Sequence, residues 1–281
     1  MICREALQKA GQELASAGCP SPHVDAELLL AHALGASRTE IFASPERELS
    51  EEELERFEAL VGRRAAREPA AYIIGEWGFR RLTLAVDPRV LVPRPETEIV
   101  VERALARLKG VPEPLVLDVG TGSGAIALAI ADEHAGARVV ATDISADALA
   151  LAAENRARAG FEDRVELVLG NLVAGLRGPF DLVVSNPPYV SPEEFEALDP
   201  EIRLYEPREA VVGAGQTAAI ARRAPEILRG DGWLILECGD GKAAGVAAEL
   251  RALGYEDVGA FPDLTGRDRV VEGRRPEAGG A

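Results

Sequence analysis

A mostly parallel α/β sheet covered by helices on both faces, with a small helical domain ahead of it, is predicted for this 281-residue chain. Two observations predict it. From Pro95 onward, hydrophobic strand patterns alternate with helical ones, and repeated β-α units build a parallel sheet buried on both faces. Before residue 70, apolar residues recur at helical spacing with no strand pattern between them. The length suits a nucleotide-binding domain plus a smaller partner.

The helical domain is placed at 1–70. Ser21 and Pro22 read as an N-cap and first turn, Val24, Leu28, Leu29 and Leu34 follow, and Gly35 closes the helix. Ser50 and Glu53 form a capping box ahead of Leu54, Phe57, Leu60 and Val61, with Glu51–Glu53 as first-turn carboxylates. A β-hairpin linker is expected at 71–93, with strands at Trp77–Ala85 and Val90–Val92 around an Asp87-Pro88 turn. The α/β domain spans 94–274, with strands expected at 115–118, 138–142, 165–169, 180–184, 232–236 and about 268–272, and residues 275–281 read as a flexible tail.

Composition narrows the function. The chain is 47% hydrophobic and 28% charged, as in an ordinary soluble globular protein. No apolar run approaches the roughly 18 residues of a membrane span, and Met1–Gly11 lacks the apolar core of a signal peptide. A cytoplasmic location without membrane attachment is expected. Cys3, Cys19 and Cys238 are scattered, and His23, His32 and His134 form no ligand pair, so no metal is expected. The net charge is −16, and acidic residues outnumber basic ones both before residue 70 and after residue 100. That weighs against a partner held by phosphate neutralisation. Arginine far outnumbers lysine and there are three asparagines, compatible with thermophily or with GC-rich coding.

The run Leu115 to Leu128 is a buried strand, a glycine-rich turn and a helix opening, with glycines where backbone must turn tightly and approach a ligand. The glycines stand at Gly120, Gly122 and Gly124, separated by Thr121 and Ser123; a dinucleotide-binding loop would carry G-x-G-x-x-G. Asp118 ends the strand two residues before Gly120. A carboxylate there repels a pyrophosphate but suits the ammonium of an amino-acid moiety, which favours S-adenosylmethionine over NAD. A second strand ends at Asp143, placed to accept hydrogen bonds from both ribose hydroxyls, or alternatively to cap the helix near Ala146. Asn171 and Leu172, after the third strand, are candidates to border the adenine.

The strand from Phe180 runs into Asn186-Pro187-Pro188-Tyr189. Two prolines cannot continue a central strand, so the chain leaves the sheet stiffly at its carboxyl end, where ligands bind in open α/β sheets. A planar nitrogen is a poor nucleophile because its lone pair is delocalised. The Asn186 side-chain oxygen and the Pro187 carbonyl can accept both of its N–H bonds, directing the lone pair and stabilising developing positive charge. Tyr189 can stack on the acceptor. The candidate catalytic residues are thus Asn186, Pro187 and Tyr189, with Pro188 completing the acceptor site and Asn186 also bordering the donor.

These residues resemble the bacterial release-factor glutamine methyltransferases. The N-P-P-Y motif is shared with nucleic-acid amino-methyltransferases. The narrower resemblance rests also on Ala71–Gly75 with Phe79, Val92–Glu98, Asp118–Gly124, Glu206–Ala210 and Gly266–Val271, in order over roughly residues 70–272. It implies a Rossmann-like class I methyltransferase domain with a seven-stranded sheet, an N-terminal helix bundle and a hairpin linker; because every chemical motif lies after residue 71, the helical domain is expected to recognise the substrate. It implies S-adenosylmethionine as donor, S-adenosylhomocysteine as product, and as substrate the glutamine of the Gly-Gly-Gln loop in class 1 peptide chain release factors. No direct nucleic-acid binding is expected. Arg94 and Thr97, in the proline-framed segment that enters the α/β domain, are candidates to close over the donor pocket, or alternatively belong to an interdomain turn and a helix start. Two departures stand outside the motifs: Val212–Thr217 lacks a usual second glycine and acidic residue, and Cys238 and Lys242 replace residues common near Glu237. Three other readings remain open: a nucleic-acid amino-methyltransferase, which a basic cleft would mark; a non-catalytic S-adenosylmethionine-binding module; and an NAD-dependent dehydrogenase.

Overall fold

The computed structural model describes residues 1–213 and 215–277. The chain divides into two compact units: Met1–Glu76 with Leu198–Tyr205, and Trp77–Ala197 with the chain from Glu206 onward.

The first unit is helical: α1 Cys3–Ser16, α2 Pro22–Leu34, α3 Arg38–Ala43, α4 Glu51–Ala65 and α5 Ala70–Ile74. The Ser50–Glu53 capping box forms reciprocally, with both bonds between 3.0 and 3.2 Å. Gly35 closes α2 in the left-handed conformation, whereas Ser21 makes no side-chain cap bond and Pro22 alone starts that helix. Leu14, Leu29, Leu30, Phe57 and Val61 form the core. Val24 is 44% exposed. Asp25 turns inward instead and accepts from Arg64 Nε at 2.8 Å. Arg64 also donates to Glu201 at 2.7 Å, as does Arg67 Nε at 2.8 Å, and the Tyr205 hydroxyl donates to the Ala66 carbonyl. Ion pairs across long sequence separation therefore draw Leu198–Tyr205 into the helical unit, although sequence order placed it in the 94–274 segment.

Next along the chain is the hairpin of β1 Glu76–Phe79 and β2 Leu82–Ala85, which belongs to the second unit from Trp77 onward. This corrects the expected strand boundaries: the turn falls at Arg80–Arg81, and Val90–Val92 is not a strand, although Val90 N–H does close a turn onto the Asp87 carbonyl. No glycine or asparagine marks the hairpin turn. Arg80 takes a positive φ of 54° there, and its backbone N–H and guanidinium are held by Glu98 and Glu133 at 2.7–2.9 Å. Tertiary ion pairs hold a conformation that local chemistry does not announce.

Next come α6 Thr97–Leu108, β3 Leu115–Val119, α7 Ala125–Glu133, β4 Arg138–Asp143, α8 Ala146–Ala159, β5 Val165–Leu169 and β6 Phe180–Ser185. After β6 lie α9 Pro192–Phe195, α10 Pro200–Tyr205, α11 Arg208–Val211 and α12 Gln216–Arg223, then β7 Leu228–Glu237, α13 Ala243–Ala252, β8 Glu256–Pro262 and β9 Asp268–Arg274. The seven strands run in the order β5-β4-β3-β6-β7-β9-β8, parallel except where β9 pairs antiparallel with β7 and β8. Periodicity missed β8. It carries a glycine and a proline, forms an edge and is half exposed, so it lacks the apolar run of a buried strand. The ladder also continues one residue past β9, where Arg275 exchanges backbone bonds with Asp231 and Gly232. Of the expected tail, residues 278–281 lie outside the described residues.

Side chains alternate across the sheet. Val116, Val139, Leu182 and Ile235 pack with α6 and α7 on one face. Leu117, Val183, Leu234 and Leu236 pack with α12 and α13 on the other. Among the described residues no helix is long and apolar enough to cross a membrane.

Candidate active site at the carboxyl edge of the sheet

Strand order reverses between β3 and β6, one connecting outward to β4 and the other to β7. At such a switch point the loops leave in opposite directions and open a crevice. Registry fixes what meets there. Val119 pairs with Thr142 on one side and Ser185 on the other, and Ser185 pairs with Leu236. Gly120, Asn186 and Glu237 therefore leave three adjacent strands side by side, with strands about 4.8 Å apart. The Ser185 hydroxyl donates to the Val119 carbonyl at 2.6 Å and pins the two central ends together.

A cavity of about 310 Å³ occupies this crevice, within the sheet-bearing unit. It is lined by Gly120–Ser123, Asp143, Asn171 and Leu172, and by Asn186, Pro187 and Pro188. Donor-side and acceptor-side candidates thus share one space, although Gly124 and Tyr189 are not among its lining residues. Gly120, Gly122 and Gly124 have φ of 74°, 55° and 84°, left-handed values that a side chain would strain. The loop is stitched to β4: Gly120 and Thr121 N–H donate to the Thr142 carbonyl at 2.8 Å, and Gly122 N–H donates to Asp143 Oδ2 at 2.9 Å. Asp143 Oδ1 accepts from Ser145 N–H, so this carboxylate both ties the loop and caps the α8 entry. It still lines the cavity, where further lone pairs can accept from ribose hydroxyls.

Asp118 sits differently from Asp143. It is fully buried beneath the glycine loop, with Oδ2 accepting from the Thr121 hydroxyl at 2.7 Å. Its Oδ1 is buried without a partner among the described residues. Burial pushes this carboxyl up to about 7, against the hydrogen bond from Thr121 that holds it down. An orphaned buried carboxylate oxygen fits a nearby cation such as an amino-acid ammonium.

On the acceptor side, Asn186 Nδ2 donates to Thr97 Oγ1 at 3.2 Å. Tyr189 is half-buried, and desolvation raises its phenol to about 12, so it stays neutral. Arg94 lines the cavity and pairs with both oxygens of Glu206 at 2.6–2.7 Å, joining the Val92–Glu98 segment to the Glu206–Ala210 segment.

Comparison with known proteins agrees with this geometry. Residues 5–75 match the PrmC N-terminal domain, and residues 97–202 match the methyltransferase small domain. A release factor glutamine methyltransferase from Deinococcus radiodurans is 44% identical, covering 100% of both chains. One from Caulobacter vibrioides is 42% identical, over 96% of this chain and 95% of its own. The chain belongs to the release factor glutamine methyltransferase family. It is an S-adenosylmethionine-dependent methyltransferase. A solved methyltransferase from Pyrococcus furiosus, 20% identical with a TM-score of 0.50 over 69% of this chain and 88% of its own, shares the fold.

Several residues of the methyltransferase site were not read from sequence. Asn155 on α8 is buried; it accepts from Ala85 N–H at 2.7 Å and donates to the carbonyls of Ala85 and Ser123 at 3.0 and 2.9 Å. It fastens the hairpin to the glycine loop. Ile144, after Asp143, presents an apolar side chain 66% exposed at the cavity. Lys242, noted as a departure outside the motifs, donates from Nζ to the Tyr189 carbonyl and to Glu194, both at 2.8 Å. It therefore acts on the acceptor segment directly. The other departure also backs that segment: Gly213 N–H donates to the Val190 carbonyl, and Val190 and Val212 form a parallel bridge. Scarcity of asparagine was the available signal. Asn155, Asn171 and Asn186 are the three asparagines of the chain, and each lines the cavity or holds a loop that does.

Proposed function

We propose that this methyltransferase modifies the side-chain amide nitrogen of the glutamine in the Gly-Gly-Gln motif of class 1 peptide chain release factors. The observation that carries the reading is the β3–β6 registry, which sets the glycine loop beside Asn186 at one cavity. The donor supplies an electrophilic methyl group on a sulfonium. Gly120–Gly124 would give it close backbone approach, Asp143 would accept from its ribose, Asn171 and Leu172 would border its base, and Asp118 would balance its ammonium. On the acceptor side the Asn186 oxygen and the Pro187 carbonyl accept the two amide N–H bonds, so the nitrogen lone pair faces the methyl carbon. The N–C bond forms as the S–C bond breaks. The alkylated nitrogen is acidic and loses its proton to water, so no side-chain base is needed. Tyr189, neutral and half-buried, covers the acceptor with its ring.

The helical domain at 1–70 supplies recognition of the release factor and no chemistry, since every residue named above follows position 71. The net charge of −16 supports a protein substrate over a nucleic acid. Methyl-labelled donor offered with a release factor, DNA or RNA should label the release factor alone, on its Gly-Gly-Gln glutamine; label in nucleic acid would overturn the substrate. Asn186→Ala should lower kcat about 100- to 1000-fold. Near-normal turnover by that variant would remove the mechanism.

A further inference from the structure

Behind Asn186 lies a buried polar chain that the transfer reaction does not itself use. Thr97, the first residue of α6, is 4% exposed, and Glu237, the last residue of β7, is 1% exposed. Burial pushes the Glu237 carboxyl up to about 7 and the Thr97 hydroxyl holds it down, while the Thr97 oxygen accepts from Asn186 Nδ2 at 3.2 Å. The second Glu237 oxygen is buried without a partner among the described residues. A carboxyl group buried this deeply is costly unless it serves something.

Direction is what it serves. A threonine hydroxyl has one proton and two lone pairs. With its proton turned toward Glu237, Thr97 presents a lone pair to Asn186. An asparagine amide is nearly symmetric in shape, so packing alone does not choose which end faces the cavity. A lone pair at Thr97 does choose: the NH₂ turns toward it and the oxygen turns away. An acceptor amide offers N–H, and only the Asn186 oxygen can receive it; the reversed side chain would set two donors against each other.

We propose that Thr97 and Glu237 are positioning residues that fix the orientation of the Asn186 side-chain amide, so that its oxygen faces the acceptor nitrogen. The registry supports it independently, because Ser185 pairs with Leu236 and the next residues on the two strands are Asn186 and Glu237. This proposal rests on the reading of Asn186 as the group that receives the acceptor N–H.

The test uses the full-length enzyme with a release factor as substrate and compares five single variants and one double. Thr97→Val and Glu237→Leu keep bulk but remove the hydroxyl or the acceptor oxygen. Each should lower kcat by about tenfold or more, leaving donor affinity and release-factor KM within about twofold. Thr97→Ser and Glu237→Gln, which restore the hydroxyl and an acceptor oxygen, should recover kcat to within about threefold of the parent. The double variant Thr97→Val/Glu237→Leu should be no slower than Thr97→Val alone, because the two act through one bond. Asn186→Ala is the separating control. If it is impaired while Thr97→Val turns over normally, the positioning role is wrong and the reading of Asn186 stands. If Asn186→Ala itself is normal, that reading fails first. Additive losses, or losses seen in donor affinity, would show ordinary packing and overturn the proposal.

Discussion

Asp118 shows how burial changes what a residue can sense. Its carboxyl rises from the usual 3.8 to about 7 because desolvation outweighs the hydrogen bond from Thr121. The folded protein then holds a proton that the unfolded chain releases, so this group's contribution to stability is greatest at low pH and falls as pH climbs from about 4 to about 7. A bound cation reverses the preference and favours the carboxylate. Donor binding should therefore strengthen as pH rises through about 7 and expel a proton below it. Calorimetry at about pH 6.5 in two buffers of different ionisation heat would detect that proton, and Asp118→Asn should abolish it. Identical heats for the parent protein in both buffers would rule the linkage out. Gly213 acts by close approach instead. A Cβ there would lie 2.5 Å from the Pro188 carbonyl oxygen and 2.7 Å from its ring. Gly213→Ala should push the acceptor turn aside and lower kcat about tenfold at unchanged donor affinity; an undisturbed kcat would show that the turn yields freely.

Between elements, one side chain replaces an entire turn's worth of local chemistry. Asn155 satisfies both backbone groups of Ala85 on β2 and the carbonyl of Ser123 before α7. Asn155→Ala would bury three unpaired groups and should cost about 3 kcal/mol. For a domain of this size that is roughly a 6–12 °C drop in melting temperature. Donor affinity should weaken with it, because Ser123 belongs to the glycine loop. A variant that melts lower but binds donor as before would confine Asn155 to the hairpin. Lys242 is a second device of this kind, joining the segment after β7 to the Tyr189 carbonyl.

Across the whole molecule, the chain leaves the sheet-bearing unit after Ala197 and returns at Glu206. The intervening eight residues are held in the helical unit by Glu201, which receives Arg64 and Arg67. Arg64 is 4% exposed, so removing one of its carboxylates leaves a poorly compensated buried charge. Glu201→Ala should cost about 3 kcal/mol and loosen Leu198–Tyr205 preferentially, since that segment has few other anchors. Limited trypsin digestion should then cut faster at Arg203. Unchanged cleavage would mean that the segment is held by packing and not by these pairs.

What the sequence determined by itself was periodicity and local chemistry. Alternation of strand and helix patterns, a glycine loop after Asp118 and two prolines after Asn186 are encoded within a few residues of each other, so the parallel sheet and both halves of the cavity were legible. Tertiary structure decided everything that depends on partners distant in the chain. Arg80 adopts a left-handed turn because Glu98 and Glu133 hold it, which displaced the hairpin from its expected place. Leu198–Tyr205 joins the helical unit because Arg64, more than a hundred residues earlier, needs Glu201. Edge strand β8 is half exposed and so never needed the apolar run that marks a buried strand. Thr97 and Glu237 come together only when α6 and β7 are packed, because hydrogen bonds have no periodicity to betray them in one dimension.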